Sequence, residues 1–346
     1  MPAPIIIGGI AVLTGLYGAA KHLDASDNNR EAQNLINDSK EEYEEKYSAL
    51  ENKQKELQKS LRKLGKTKID IQRRQIRKFT SLYGRLKDVA FAGEIYFDGF
   101  SNTEDFNEKV KEMEVASTSL QELILDSGGS LAAGALAGIA AYGGVGIFGA
   151  ASTGTAIASL SGAAATNATL AWLGGGSLAA GGLGVAGGTA VLGGIVLAPI
   201  LAVSGLLSSA KSEENLAKAR AQSAKIKKDI AKLETIIAFC EALTSLSKDY
   251  TQFFTWFRTV FDKYLKDFAA LVDNAEVDNG GHIDFRKLTV EQQQIIQINR
   301  LIVQVMWKAM KMPLLEGENH INEEAEVLLE ESYSKARGIV DKIQAV

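Results

Sequence analysis

Gly182, Gly184 and Gly187 stand at the spacing G-x-G-x-x-G, and Gly144, Gly146 and Gly149 repeat it. In a loop between a strand and a helix that spacing lets backbone N–H groups close on the pyrophosphate of a dinucleotide. Such a site also needs an amphipathic helix after the glycines and an acidic residue about 20 positions on to hold the ribose. After Gly187 the first acid is Glu213, and mostly Gly, Ala, Val, Leu and Ile lie between. Chance explains the spacing, because 21 of the 33 glycines fall between Ser127 and Ala210.

Other chemistries fail in the same way. Leu64 to Lys68, LGKTK, has the Gly-Lys-Thr end of a phosphate loop, but Ser60 stands where the loop's first glycine belongs. The loop Glu276 to Lys287 resembles a calcium-binding EF-hand, with Glu276, Asp278 and Asp284 at positions one, three and nine and Gly281 at six. Its twelfth position, which must supply a bidentate carboxylate, is Lys287. A solvated turn between helices is the expectation, with no metal. His22, His282 and His320 are scattered and have no ligand spacing with Cys240, the single cysteine. No nucleophile elbow, metalloprotease helix or acid pair in a recognisable setting is present. Neither an enzyme nor a cofactor is expected.

What remains is the distribution of charge. All Lys, Arg, Asp and Glu side chains lie outside the 84 residues from Ser127 to Ala210, which also lack His. The net charge of −4 argues against a nucleic-acid partner, since phosphate affinity comes mainly from Lys and Arg. The amino terminus carries a further uncharged run of 19 residues, Pro2 to Ala20, close to the roughly 20 needed to cross a hydrocarbon core. A secretory signal ending at Gly18, Ala19 and Ala20 would need a preceding Lys or Arg, which is absent. A membrane-inserting or core-buried helix is the expectation there.

The flanks are helical in period. Tyr43, Tyr47, Leu50, Gln54, Leu57, Leu61 and Leu64 alternate steps of four and three, the seam of a coiled coil. Gly65 interrupts the phase, and the stripe resumes at Ile69, Gln72, Ile76, Phe79, Tyr83 and Leu86. This predicts one long helix with an irregularity, or two in line. A shorter helix passes through Val110, Met113, Leu120 and Leu123. After the uncharged block come Ile226, Ile230, Leu233, Ile237 and Cys240, and then an aromatic seam of Tyr250, Phe254, Phe257, Phe261, Tyr264 and Phe268. A large helical core is the expected role of these rings, and a face docking on lipid or a partner helix the alternative. Thr289 with Gln292 predicts a capped helix, followed by a last one over about Asn322 to Ala345. No stretch alternates apolar and polar residues as a strand does, so the fold class is all-α.

The uncharged block would reach about 126 Å as one helix, so it must turn back at least once. A bilayer core is about 30 Å thick and accommodates two to four crossings of it. Glycine costs about 1 kcal/mol relative to alanine in a water-exposed helix. In lipid the backbone must bond internally, and small residues let helices approach closely. Ser130, Gly134 and Gly138 recur at intervals of four, and so do Gly176, Ala180, Gly184 and Gly188, giving faces suited to a glycine zipper. The basic run Ala217 to Lys228 follows the block, which places its exit on the cytoplasmic side or against anionic lipid. A chain that keeps the block buried between its charged helices until release meets the same physics.

Two long charged helical arms around an apolar insertion resemble the cytolysin A type of α-helical pore-forming toxin in layout, without a shared motif. By that resemblance Ser127 to Ala210 is the inserting element and Pro4 to Ala20 a second one. The block is longer and richer in glycine than such a hairpin requires. Five regions are expected: a hydrophobic N-terminal segment 1–22, a charged coiled-coil arm 23–126, a membrane-inserting segment 127–210, an arm with the aromatic seam 211–272, and a helical region 273–346. The expected function is non-enzymatic: membrane insertion, homo-oligomerisation through the glycine-spaced helices, and permeabilisation or remodelling of a lipid bilayer, as by a toxin or cell-death effector. The alternative is a membrane-anchored coiled-coil scaffold whose arms bind a protein partner. Localisation follows as membrane, integral or reached from a soluble form.

Overall fold

The computed structural model describes residues 22–89, 103–126, 133–141, 212–316 and 320–344. They form an all-α fold. Helix α1 (His22–Ile71) continues through a π-helical turn, Gln72–Ile76, into α2 (Arg77–Tyr83). Then come β1 (Leu86–Lys87), α3 (Thr103–Asp126), α4 (Ala133–Ala141) and α5 (Ser212–Asn274). The chain goes on through β2 (Ile283–Asp284), a 3-10 turn at Phe285–Lys287, α6 (Val290–Lys311), β3 (Leu315–Glu316), β4 (His320–Ile321) and α7 (Glu323–Gln344). The strands pair as β1 with β2, parallel, and β3 with β4, antiparallel. Two-residue ladders are too short to imprint an alternating pattern, so the sequence carries no trace of them.

The chain divides into two compact units, residues 1–53 with 196–238 and residues 54–195 with 239–346. Both long helices, α1 and α5, contribute to each unit. The steps in composition at Ser127 and Lys211 therefore do not mark the boundaries of packing.

In the first unit, the Asn215 side-chain amide donates to Asn29 Oδ1 at 3.1 Å, and the hydroxyls of Ser39 and Ser223 lie 2.7 Å apart. Arg220 pairs with Glu31 at 3.1 Å and Lys46 with Glu234 at 2.7 Å. The partners' numbers rise together, so α1 and α5 run parallel here. Ala32, Leu216 and Ala219 pack with Leu35 and Ile36, and Tyr43, Leu50, Ile226, Ile230 and Leu233 extend the buried stripe. Alanines at the contact let the helices approach closely, which brings the serine hydroxyls within bonding distance.

The second unit is built on rings and on Leu57, Leu61 and Leu64 of α1. Phe79 of α2 is fully buried, within 6.0 to 6.4 Å of the rings of Phe106, Phe261 and Phe268. Glu56 pairs with Lys248, and Gln75 donates to Asp262 at 2.7 Å, so α5 runs parallel to α1 in this unit also. Helix α3 runs the other way, since the Tyr83 hydroxyl donates to Asn107 while Gln72 donates to Ser117. Gly65 does not break α1, which runs through it as regular helix. The irregularity lies at Gln72–Ile76, where the wider π turn turns Ile71, Gln72, Gln75 and Ile76 all inward.

Helix α6 begins with the reciprocal capping box expected of Thr289 and Gln292. Every residue from Asn299 to Trp307 is buried, on all faces of the helix, whereas Ile295 and Ile298 are half-buried. Asn322 caps α7, accepting from the Glu324 N–H at 3.0 Å.

Candidate functional site

The aromatic seam is interior. Tyr250, Phe254, Phe257, Phe261 and Phe268 are fully buried, and Tyr264 is half-buried. The Tyr250 hydroxyl donates to the Ala325 carbonyl at 2.7 Å, and Phe253 meets Tyr333 of α7 edge-on at 4.9 Å. Burial pushes the Tyr250 phenol well above its ordinary value, so it is neutral at any physiological pH. In this conformation the rings are a core rather than a docking face.

Of the small residues expected to pack membrane helices, Gly134 and Gly138 lie in α4, and Gly138 is buried. Ser130, Gly176, Ala180, Gly184 and Gly188 lie outside the described residues, as do both G-x-G-x-x-G patterns and the N-terminal run to Ala20. Among the described residues no helix is long and apolar enough to cross a membrane.

The phosphate-loop look-alike is helical from end to end. Leu64 is buried, Lys66 is exposed, and the Thr67 hydroxyl donates to the Lys63 carbonyl one turn back. Its backbone N–H groups are therefore committed to the helix and turned away from any phosphate. Gly65 and Lys68 nevertheless meet another element, α4. A Cβ placed on Gly65 would lie 1.9 Å from the Leu136 carbonyl oxygen, so only glycine admits α4 at this distance. One turn on, Lys68 Nζ lies 3.4 Å from the Ala140 carbonyl oxygen. The next carbonyl, Ala141, accepts from the Leu314 N–H at 2.7 Å. The last carbonyls of a helix have no partners within it, so Lys68 and Leu314 fill the role of a C-terminal cap for α4. Ile69, Leu120 and Ile139 close the apolar side, with Leu136 and Ile124 against them.

Lys68 is only 2 % exposed. An ammonium has three donors, and its one hydrogen-bond acceptor among the described residues is the Ala140 oxygen. No carboxylate forms an ion pair with it there. Removal from water pushes its pKa down to about 7. Sequence reasoning missed Lys68 because the seam was broken at Gly65. Carried straight on, the steps Leu57, Leu61, Leu64, Lys68 and Ile71 place the lysine on the buried face. A cation at a seam position was the available signal.

The EF-hand look-alike is folded around internal partners. Asp278 accepts the Gly280 and His282 N–H groups, each at 2.9 Å, and pairs with Lys87. These bonds, the Lys87 ammonium first, hold its carboxyl far below the usual range. Asp284 accepts from Arg286, which also reaches Asp88 at 2.7 Å. Gly281 takes φ of +78°, the left-handed conformation the tight turn needs. Asp278 and Asp284 are thus engaged by Lys87 and Arg286, and the Lys87–Asp278 and Arg286–Asp88 pairs tie this loop to the β1 region. Among the described residues no group of three or more His, Cys, Asp and Glu converges as a metal site. His282 and His320 are exposed and apart, and burial raises the Cys240 thiol above its ordinary pKa, the opposite of an activated nucleophile.

On α6 the other missed residues are Asn299, Arg300 and Gln304, all buried. Asn299 donates to the Tyr264 carbonyl at 2.9 Å, and the Arg300 guanidinium stacks 4.9 Å above Phe106. Burial raises the Tyr83 phenol to about 12, partly offset by Arg300. These polar side chains sit where the helix is buried all round. No protein-family model, curated protein or solved structure matches this chain.

Proposed function

We propose that the chain is a non-enzymatic membrane-inserting protein that oligomerises and permeabilises or remodels a lipid bilayer. The observation that carries the proposal is the contrast within one chain of 84 uncharged, glycine-rich residues with flanks that hold every charge. Such a block has two places to go: a bilayer, or the interior of its own protein. The docking of α4, its first described helix, against α1 supports a form in which part of it is covered. The cytolysin A resemblance supplies the same scheme, an apolar element packed on a helical body and then inserted.

The test is leakage. Purified protein added to dye-loaded vesicles of phosphatidylcholine and phosphatidylserine is expected to release dye, and to give discrete conductance steps in planar bilayers. The absence of both at every pH and lipid composition overturns the proposal. A scaffold anchored by the block is the second reading, favoured by the parallel helices of the first unit, whose exposed faces are charged. Exchanging the block for an unrelated transmembrane hairpin separates the two. Function that survives the exchange belongs to the scaffold, and function lost with Gly184→Leu or Gly188→Leu belongs to insertion.

A further inference from the structure

Lys68 is a buried base, and it stands where α1 touches α4, the described helix of the uncharged block. Gly65 and Lys68 both face the backbone of α4, and both contacts are specific to their residue types. Gly65 admits the Leu136 carbonyl where any side chain would collide with it. Lys68 reaches the Ala140 carbonyl at the open end of the same short helix.

We propose that Gly65 and Lys68 form a latch holding α4 against α1, and that uptake of a proton by Lys68 opens it. In the membrane reading above, on which its biological meaning rests, opening frees the entry helix of the inserting block.

The surroundings of Lys68 decide the direction. From α4 it faces only backbone carbonyl, because α4 has no ionisable residue. From α5 it faces Tyr250, whose ring centroid lies 6.0 Å from Nζ and whose hydroxyl is engaged with Ala325. Along α1 the next buried polar side chain is Gln72, which is neutral and donates to Met113 and Ser117. Among the described residues α3 brings only Ile124 and Leu120 to the neighbouring apolar contact. A charged Lys68 therefore meets one carbonyl at long range, the negative end of a nine-residue helix and a ring at the limit of cation–π attraction, which together do not replace the water lost on burial. A neutral amine tolerates the site, and once α4 leaves, water and the proton enter together.

The sign follows from linkage. The docked form holds the Lys68 pKa near 7, and the undocked form restores an ordinary lysine near 10.5. Between these values the open form binds the extra proton, so lowering the pH through this window favours opening; below it both forms are charged and the dependence ends. One proton corresponds to about tenfold in the opening constant per pH unit from pH 9 to 8, and roughly a hundredfold in all by pH 6.

Hydrogen exchange of the 133–141 amides in full-length protein without lipid, corrected for intrinsic rates, measures the opening directly. Protection is expected to fall by that factor from pH 9 to 6 while α6 stays protected. Lys68→Met should abolish the pH step, and Lys68→Arg should leave α4 open even at pH 9. Gly65→Val should open it at every pH. Protection in the wild type that does not change with pH, or a step that survives Lys68→Met, overturns the latch whatever the vesicle assay gives. A pH step without any leakage upholds the latch and sinks the membrane reading.

Discussion

Where residues 22–53 of α1 meet residues 212–238 of α5, the helices touch through alanines and an aliphatic stripe with Tyr43, joined by two serine hydroxyls, a pair of asparagines and surface ion pairs. Where α2 meets α3 and the rest of α5, fully buried phenylalanine rings pack against one another. Both regions pair α1 and α5 in parallel, so geometry is not what separates them. The difference lies in what each contact can contribute. A side-chain hydrogen bond contributes about 1 kcal/mol net and truncating a buried aliphatic side chain in a two-helix contact about 2 kcal/mol, while truncating a buried Phe to Ala costs about 3–5 kcal/mol. Local stability should therefore rise along each helix from the first unit to the second.

The largest expected effect is Phe79→Ala. It removes a ring that meets Tyr83, Phe106, Phe261 and Phe268, and should lower unfolding free energy by about 3–5 kcal/mol in a urea titration. Leu233→Ala, fully buried in the first unit, should cost about 2 kcal/mol, because a two-helix contact collapses more readily around a lost side chain. A loss at Leu233 equal to that at Phe79 would erase the distinction between the regions. Thr289→Ala removes one half of the capping box and should cost about 1 kcal/mol, read in the same titration and as faster exchange of the first-turn amides of α6. The smallest effect sharpens the comparison most. Ser39→Ala alone should cost about 1 kcal/mol by stranding the Ser223 hydroxyl, whereas Ser39→Ala with Ser223→Ala should return close to the wild-type midpoint. A double variant as weak as the sum of its parts would mean the hydroxyls act separately.

Particular residues show how far the sequence could be read. Thr289 and Gln292 specify a helix start by themselves, since both halves of the box lie within four residues. The aromatic seam was legible for a similar reason, as one helix carries all its members. Gly65 misled because a glycine in a helical stripe signals weakness when only its own helix is considered; its reason is the Leu136 carbonyl, 71 positions away in the sequence. Lys68 and the polar side chains of α6 are hidden for the same cause. Charge and amide groups read as surface until a second element is seen to cover them. Asn299, Arg300 and Gln304 lie in the stretch of α6, Asn299 to Trp307, that is buried on every side. The β1–β2 and β3–β4 ladders have no signature to read.

The parallel pairing in the first unit also sets an order of events during synthesis. Its contacts join residues 184, 186 and 189 positions apart. At 5–20 residues per second, the early half of α1 leaves the ribosome about 10 to 40 s before the part of α5 that will cover it. For that interval Tyr43 and Leu50 have no partner from α5, while the uncharged block is itself emerging.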